Sequence, residues 1–199
     1  FRRAMIGRAN RRAPQGKVAE ALAALDAVTD KTGSFESLVA SIDLRRRGGD
    51  SLDSLRASAV KLGPPGLRAF ATAYIAAAAL PSLEGSAFED ASAAALATVR
   101  RNWAELRGKR AARALVGEIL QQRFLRTGDL QLAERANVHD LVALDQVRKN
   151  ARYRAMLLGN LGMLHERVGN YRIALSYLEP RDALPWHDDE TSLGVRLAY

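Results

Sequence analysis

Three histidines, 22 acidic residues and 30 basic residues are the groups with which this 199-residue chain could do chemistry. His139, His165 and His187 lie far apart, and none stands in the H-E-x-x-H frame that puts two zinc ligands on one helix face. His165 falls at a core-type position of a helical pattern and reads as a packed residue. The run His187-Asp188-Asp189-Glu190 offers metal-ligating types, yet acids just ahead of a helix are the usual capping and dipole arrangement. No G-x-x-x-x-G-K-[ST] phosphate loop occurs: Gly16-Lys17 and Gly108-Lys109 have Arg11 and Trp103 where the leading glycine belongs. The chain has no cysteine, which removes thiolate catalysis, disulfides and Cys-ligated metals and leaves the compartment open. Carboxylates are scattered over helix faces, with no buried pair deducible for acid–base work. Trp103 and Trp186 are expected as packing anchors. The chemistry-bearing residues therefore imply no catalytic centre, no cofactor and no metal.

Charge points to partners rather than reactions. The net charge is +8, and 25 of the 30 basic residues are arginine. They are densest at Arg2, Arg3, Arg8, Arg11 and Arg12 and at Arg45-Arg46-Arg47. Such a balance favours anionic partners when clustered, and otherwise describes solvated faces and helix ends. Aromatics are 6% of residues, too few to interleave with these cations as a stacking platform for single strands.

The elements that must position these groups are helices. Alanine supplies 36 residues, against 15 glycines and 6 prolines, so helix propensity is high almost throughout. β-branched and aromatic runs are scarce, and the predicted fold class is all-α. The longest apolar run, Ala69 to Leu80, is interrupted only by Thr72 and stops at Pro81. It is too short for a bilayer, which needs about 20 residues, and is expected as a buried helix with no membrane span. The chain opens at Phe1 and stops inside a helical pattern, Leu193 to Tyr199, so it reads as an excerpt of a longer protein.

Periodicity and breakers predict helices over 2–12, 17–30, 35–47, 51–62, 66–80, 86–107, 110–127, 130–149, 151–168, 171–183 and 190–199. Pro180 should stop or bend the 171–183 helix near Leu178. No linker interrupts the alternation, and residues 1–199 read as a single segment. A recurring frame marks the turns: Gly169-Asn170-Tyr171 with Ala174, Gly128-Asp129-Leu130 with Ala133, and Gly16-Lys17-Val18 with Ala21. Weaker copies begin at Gly49 and Gly85. A glycine ends a helix cheaply through positive φ. The following polar residue can cap the next helix; Asn170, Asp129, Asp50 and Ser86 suit that role, Ser86 with Glu89 as a capping box. The small alanine lets the second helix lie close to the first.

At Leu158, Leu161-Gly162, His165, Gly169, Tyr171, Ala174 and Leu178 the chain resembles a tetratricopeptide repeat (TPR), whose pattern W-x2-L-G-x2-Y…A-x3-F…P has a period of about 34 residues. Leu158, His165 and Leu178 replace the family's aromatics, and Pro185 falls near its proline. The unit before it keeps Leu120, Phe124, Gly128 and Ala133, with Gln121 in place of the small glycine. The clearest repeats span 111–149 and 151–185. The resemblance implies a right-handed α-solenoid of stacked antiparallel hairpins, about ten or eleven helices, sharing a continuous core. Its first helices would line a concave surface and present Met156, Met163, Glu166 and Arg167, and one unit earlier Leu115, Gln122, Leu125 and Arg126. Arg126 and Arg167 each stand two residues before a turn glycine, in register to hold a carboxylate.

Three functions follow as expectations. The first is a non-catalytic scaffold that binds another protein or a peptide, including one with acidic groups, on the concave helices. The second is the sensor arm of a multidomain signalling protein carrying a nucleotide-switch ATPase, kinase or protease. The third is a helical-repeat nucleic-acid binder, which would show a continuous basic stripe and a steep loss of binding with salt.

Overall fold

The computed structural model describes residues 18–106, 109–147 and 151–184. Those residues are all-helical and contain no strand. The α-helices are α1 (Val18–Thr32), α2 (Phe35–Arg47), α3 (Leu52–Val60), α4 (Pro65–Ala79), α5 (Gly85–Arg101), α6 (Trp103–Leu106), α7 (Arg110–Thr127), α8 (Leu130–Asp145), α9 (Ala151–Arg167) and α10 (Tyr171–Asp182). A 3-10 turn, Leu80–Ser82, follows α4. The expected helices at 2–12 and 190–199, with Gly16, Pro185, Trp186 and the His187–Glu190 run, lie outside the described residues.

Local chemistry explains the boundaries. Gly49, Gly85, Gly128 and Gly169 all take positive φ, between 53° and 96°, at the bends where the sequence places them. Gly33 does the same between α1 and α2, a turn the repeat frame passes over. Asp129 caps α8 by accepting from the Gln131 N–H at 2.9 Å. Asn170 opens α10 through its backbone carbonyl, which accepts from Ile173 and Ala174, and its side chain makes no cap bond. Asn170 thus departs from the expected side-chain cap, and two further caps differ as well. Ser51, not Asp50, caps α3, accepting from Ser54. Ser86 lies inside α5, which starts at Gly85 with no side-chain cap. The expected 86–107 helix breaks at Asn102, whose Nδ2 donates to the Thr98 carbonyl at 2.8 Å and competes with the backbone ladder. Through Pro180, α10 continues to Asp182. The proline sits in the last turn, where its missing N–H forfeits a single ladder bond.

Two compact units divide the chain, residues 1–115 and 116–199. In the first, α4 is the axis: it packs on α5, α3 and α2. Its apolar run is indeed interior, with Phe70, Ala71, Ala73, Ile75 and Leu80 essentially inaccessible. No helix among the described residues is long and apolar enough to cross a membrane. Phe35 meets Phe70 edge-on at 4.9 Å, and Tyr74 stacks on Phe70 at 5.9 Å while donating to Asp43 at 2.8 Å. Trp103 is half-buried under the Arg113 guanidinium, 5.1 Å from its ring.

The second unit is built round α9, which packs on α8 and, most extensively, on α10. Leu157, Leu158, Leu161 and Leu164 form its buried stripe. A Cβ at Gly162 would lie 2.6 Å from Leu178 Cγ, so the Leu178 side chain of α10 packs directly onto the bare backbone of α9 there. Ala133 and Ala174, the small residues of the frame, are 5% and 3% exposed. Leucine at 174 is therefore expected to overpack α9–α10 and cost about 1–3 kcal/mol. Urea unfolding would check it; an unchanged midpoint would mean the contact is loose.

Candidate functional site

The residues expected to meet a partner fall on α7 and α9. Gln121, in the place of the family's small glycine, is buried and donates from Nε2 to the Asn160 carbonyl at 3.3 Å. That bond joins α7 to α9 at one point within the second unit. Helical spacing then groups their neighbours. Leu125 stands four residues after Gln121, while Met156, Met163 and Arg167 stand at −4, +3 and +7 from Asn160 on one α9 face. Leu125 and Met156 are 39% and 37% exposed, Met163 and Gln122 are half-buried, and Arg126 and Arg167 are exposed. Glu166 is half-buried and sits off this face. Leu115 is a correction: at 2% exposure it is interior, because α7 is buried on nearly every side from Ala111 to Gln121.

Around His165 the expected packing is partial, and polar. The ring stacks on Tyr177 at 5.6 Å, and Nε2 lies 3.2 Å from Asn137 Oδ1. The amide oxygen accepts, so Nε2 carries the proton and Nδ1, buried without a hydrogen-bond partner, is the bare nitrogen. Burial lowers the His165 pKa below the ordinary imidazole range. No cluster of His, Cys, Asp or Glu among the described residues could hold a metal ion.

The group that the sequence reading missed is Asp140. It is 0% exposed on α8, and neither carboxyl oxygen has a hydrogen-bond partner. Desolvation first, and the Glu118 charge second, push its pKa well above the ordinary carboxylate range, which favours the neutral acid. Its carboxyl lies flat against Gly117 of α7, where a Cβ would run into Oδ1 and lie 2.8 Å from Cγ. The signal was present. Asp140 follows Leu132, Ala133 and Ala136 on the same apolar stripe, ahead of Ala143.

A second feature is a cleft in the first unit. The sequence pairs α2 and α3 as a hairpin about Gly49, but α2 packs chiefly on α1 and only lightly on α4 and α3. The space left between them is a cleft of about 210 Å³. Leu38, Ile42, Leu55, Ala59, Ala71 and Ile75 wall it, and Ser41, Asp26 and Arg45 make its polar end. Asp26 Oδ2 accepts from Arg45 Nη2 at 2.6 Å, and Oδ1 accepts from the Ser41 hydroxyl at 2.7 Å. Compared with family models, with curated proteins and with solved structures, the chain finds no match.

Proposed function

We propose that the chain is a non-catalytic scaffold of TPR-like hairpins, a right-handed α-solenoid that binds a peptide or protein segment along its first helices. The observation that supports this reading is the Gln121–Asn160 bond, which joins α7 to α9, with Leu125, Met156 and Met163 at helical spacing from the two bonded residues. Flexible, partly exposed methionines adapt to varied apolar partners. Arg126 and Arg167, at the ends of these helices, add cationic donors suited to carboxylates. Gln122 adds a polar group beside them, while Glu166, off the α9 face, stands at the margin of the surface. The partner is accordingly an extended segment with apolar side chains and acidic groups.

The test is an array of acidic–apolar peptides, read by fluorescence anisotropy at low and moderate salt. The double replacement Arg126→Gln, Arg167→Gln is expected to weaken the best binder about tenfold or more, since a charge-assisted bond contributes about 1.5–3 kcal/mol. Met156→Glu is expected to weaken it comparably. Peptide affinity unmoved by either change would sink the assignment. So would tighter binding of RNA or duplex DNA with a steep salt slope, which belongs to phosphate recognition.

A further inference from the structure

The α2–α3 cleft is independent of the candidate surface on α7 and α9, and its lining specifies a ligand. Protein interiors are close-packed, with few voids larger than a water molecule. This cleft opens to solvent, yet its inner wall is buried and apolar, and its volume of about 210 Å³ has room for about seven waters at about 30 Å³ each. Thr29, Ser41 and Ser58 add hydroxyls to the lining, but waters against Leu38, Ile42, Leu55 and Ile75 have no polar partner on that wall, so an apolar group placed there would displace them favourably. The volume suits one aliphatic side chain, well short of a lipid tail or a drug-sized molecule.

Its polar end carries both signs within a single ion pair. The side chains of Arg45 and Asp26 are 30% and 42% exposed, so a ligand can reach both from solvent. Each carboxylate oxygen of Asp26 accepts one side-chain bond and retains a lone pair, and Arg45 retains further N–H donors. An occupant carrying one charge would take one partner and leave the other to water, forfeiting the ion pair. A head with an ammonium and a carboxylate on one carbon avoids that loss. The ammonium goes to Asp26, the carboxylate to Arg45, and neither protein charge is left unpaired.

We propose that the cleft between α2 and α3 is a binding site for a free aliphatic α-amino acid of valine or leucine size. The side chain enters the apolar end, and the dipolar head inserts at the Asp26–Arg45 pair. Selectivity follows from the lining: charged side chains would be buried without partners among Leu55, Ala59 and Ala71 and are excluded.

Calorimetric titration of the whole chain with L-leucine, L-valine and L-glutamate tests it. Saturable binding of leucine and valine is expected, with none of glutamate. N-acetyl-L-leucine and L-leucinamide, each lacking one head charge, are expected to bind about tenfold or more weakly. Arg45→Gln and Asp26→Asn are expected to lose affinity to the same extent. Ser58→Leu fills the cleft from an exposed position of α3 and is expected to abolish binding while leaving the helical circular dichroism unchanged. Absence of saturation with both aliphatic amino acids overturns the proposal. Equal binding of the capped derivatives, or leucine affinity that survives both Arg45→Gln and Ser58→Leu, overturns it as well.

Discussion

Replacing Asp140 with alanine is expected to stabilise the protein at neutral pH by about 1–3 kcal/mol, the desolvation cost of a buried polar group left without partners. In a chain of this size each kcal/mol moves Tm by about 2–4 °C. The gain should depend on pH. Below the ordinary carboxylate range the folded and unfolded chains both hold the Asp140 proton, and its ionisation contributes nothing. As pH rises through that range, the unfolded chain releases the proton while the folded chain retains it. The unfolded state then binds fewer protons, so stability falls with rising pH until the folded carboxyl itself ionises. Urea unfolding of both proteins between about pH 4 and pH 8 should show that decline in the parent alone. His165 acts in the opposite sense: its lowered pKa makes stability fall as pH drops through the imidazole range, equally in both proteins. An Asp140→Ala protein less stable at every pH would mean that the carboxyl has a partner after all.

Gly117 gives a second readout of the same contact. Glycine to alanine inside a helix ordinarily gains about 1 kcal/mol. Beside Asp140 the added methyl has no room, and Gly117→Ala is expected to destabilise the parent. In the Asp140→Ala background the obstruction is gone and the same change should stabilise. A reversal of sign across the cycle, with coupling of about 1–3 kcal/mol, is the expected result.

Gly162→Val is expected to cost about 3 kcal/mol or more, because even a Cβ at this position lies 2.6 Å from Leu178 Cγ. Gly162→Ala should cost less, since Leu178 is half-buried and its tip can yield. Combining either change with Leu178→Ala should recover part of the loss, because the obstruction is that side chain rather than the backbone. Equilibrium unfolding in urea measures all four proteins. A Gly162→Val protein as stable as the parent would remove the case for close α9–α10 packing.

Much of the helical layout is written locally, and the particular matches have particular causes. The boundaries of α2 and α7 agree with expectation to the residue. Ser34 accepts from the Ser37 N–H at one end of α2, and the positive-φ Gly128 follows the other end of α7. Both signals act over three or four residues and need nothing from the rest of the chain. The burial of the Ala69–Leu80 run was legible for a similar reason, since a helix apolar on all sides has no face to offer water. The Asn102 break was not, because asparagine within a helical pattern gives no warning that its amide will bond the Thr98 carbonyl.

Of the candidate partner surface, the sequence located the helices and the arginines but not the exposure of each residue. Leu115 and Met156 occupy equivalent places in the repeat frame, yet one is 2% exposed and the other 37%. The difference lies in what surrounds α7 and α9, not in the two side chains. What the amino-acid order determined by itself was the all-helical character, the turns at Gly49, Gly85, Gly128 and Gly169, and the absence of cysteine chemistry. Those follow from bond-scale geometry and composition. Only the tertiary structure decided that α2 stands away from α3 to leave a cleft, that Gln121 joins α7 to α9, and that Asp140 is sealed against Gly117. Each depends on groups remote in sequence meeting at a few ångströms, and burial is a property of the neighbours a residue acquires.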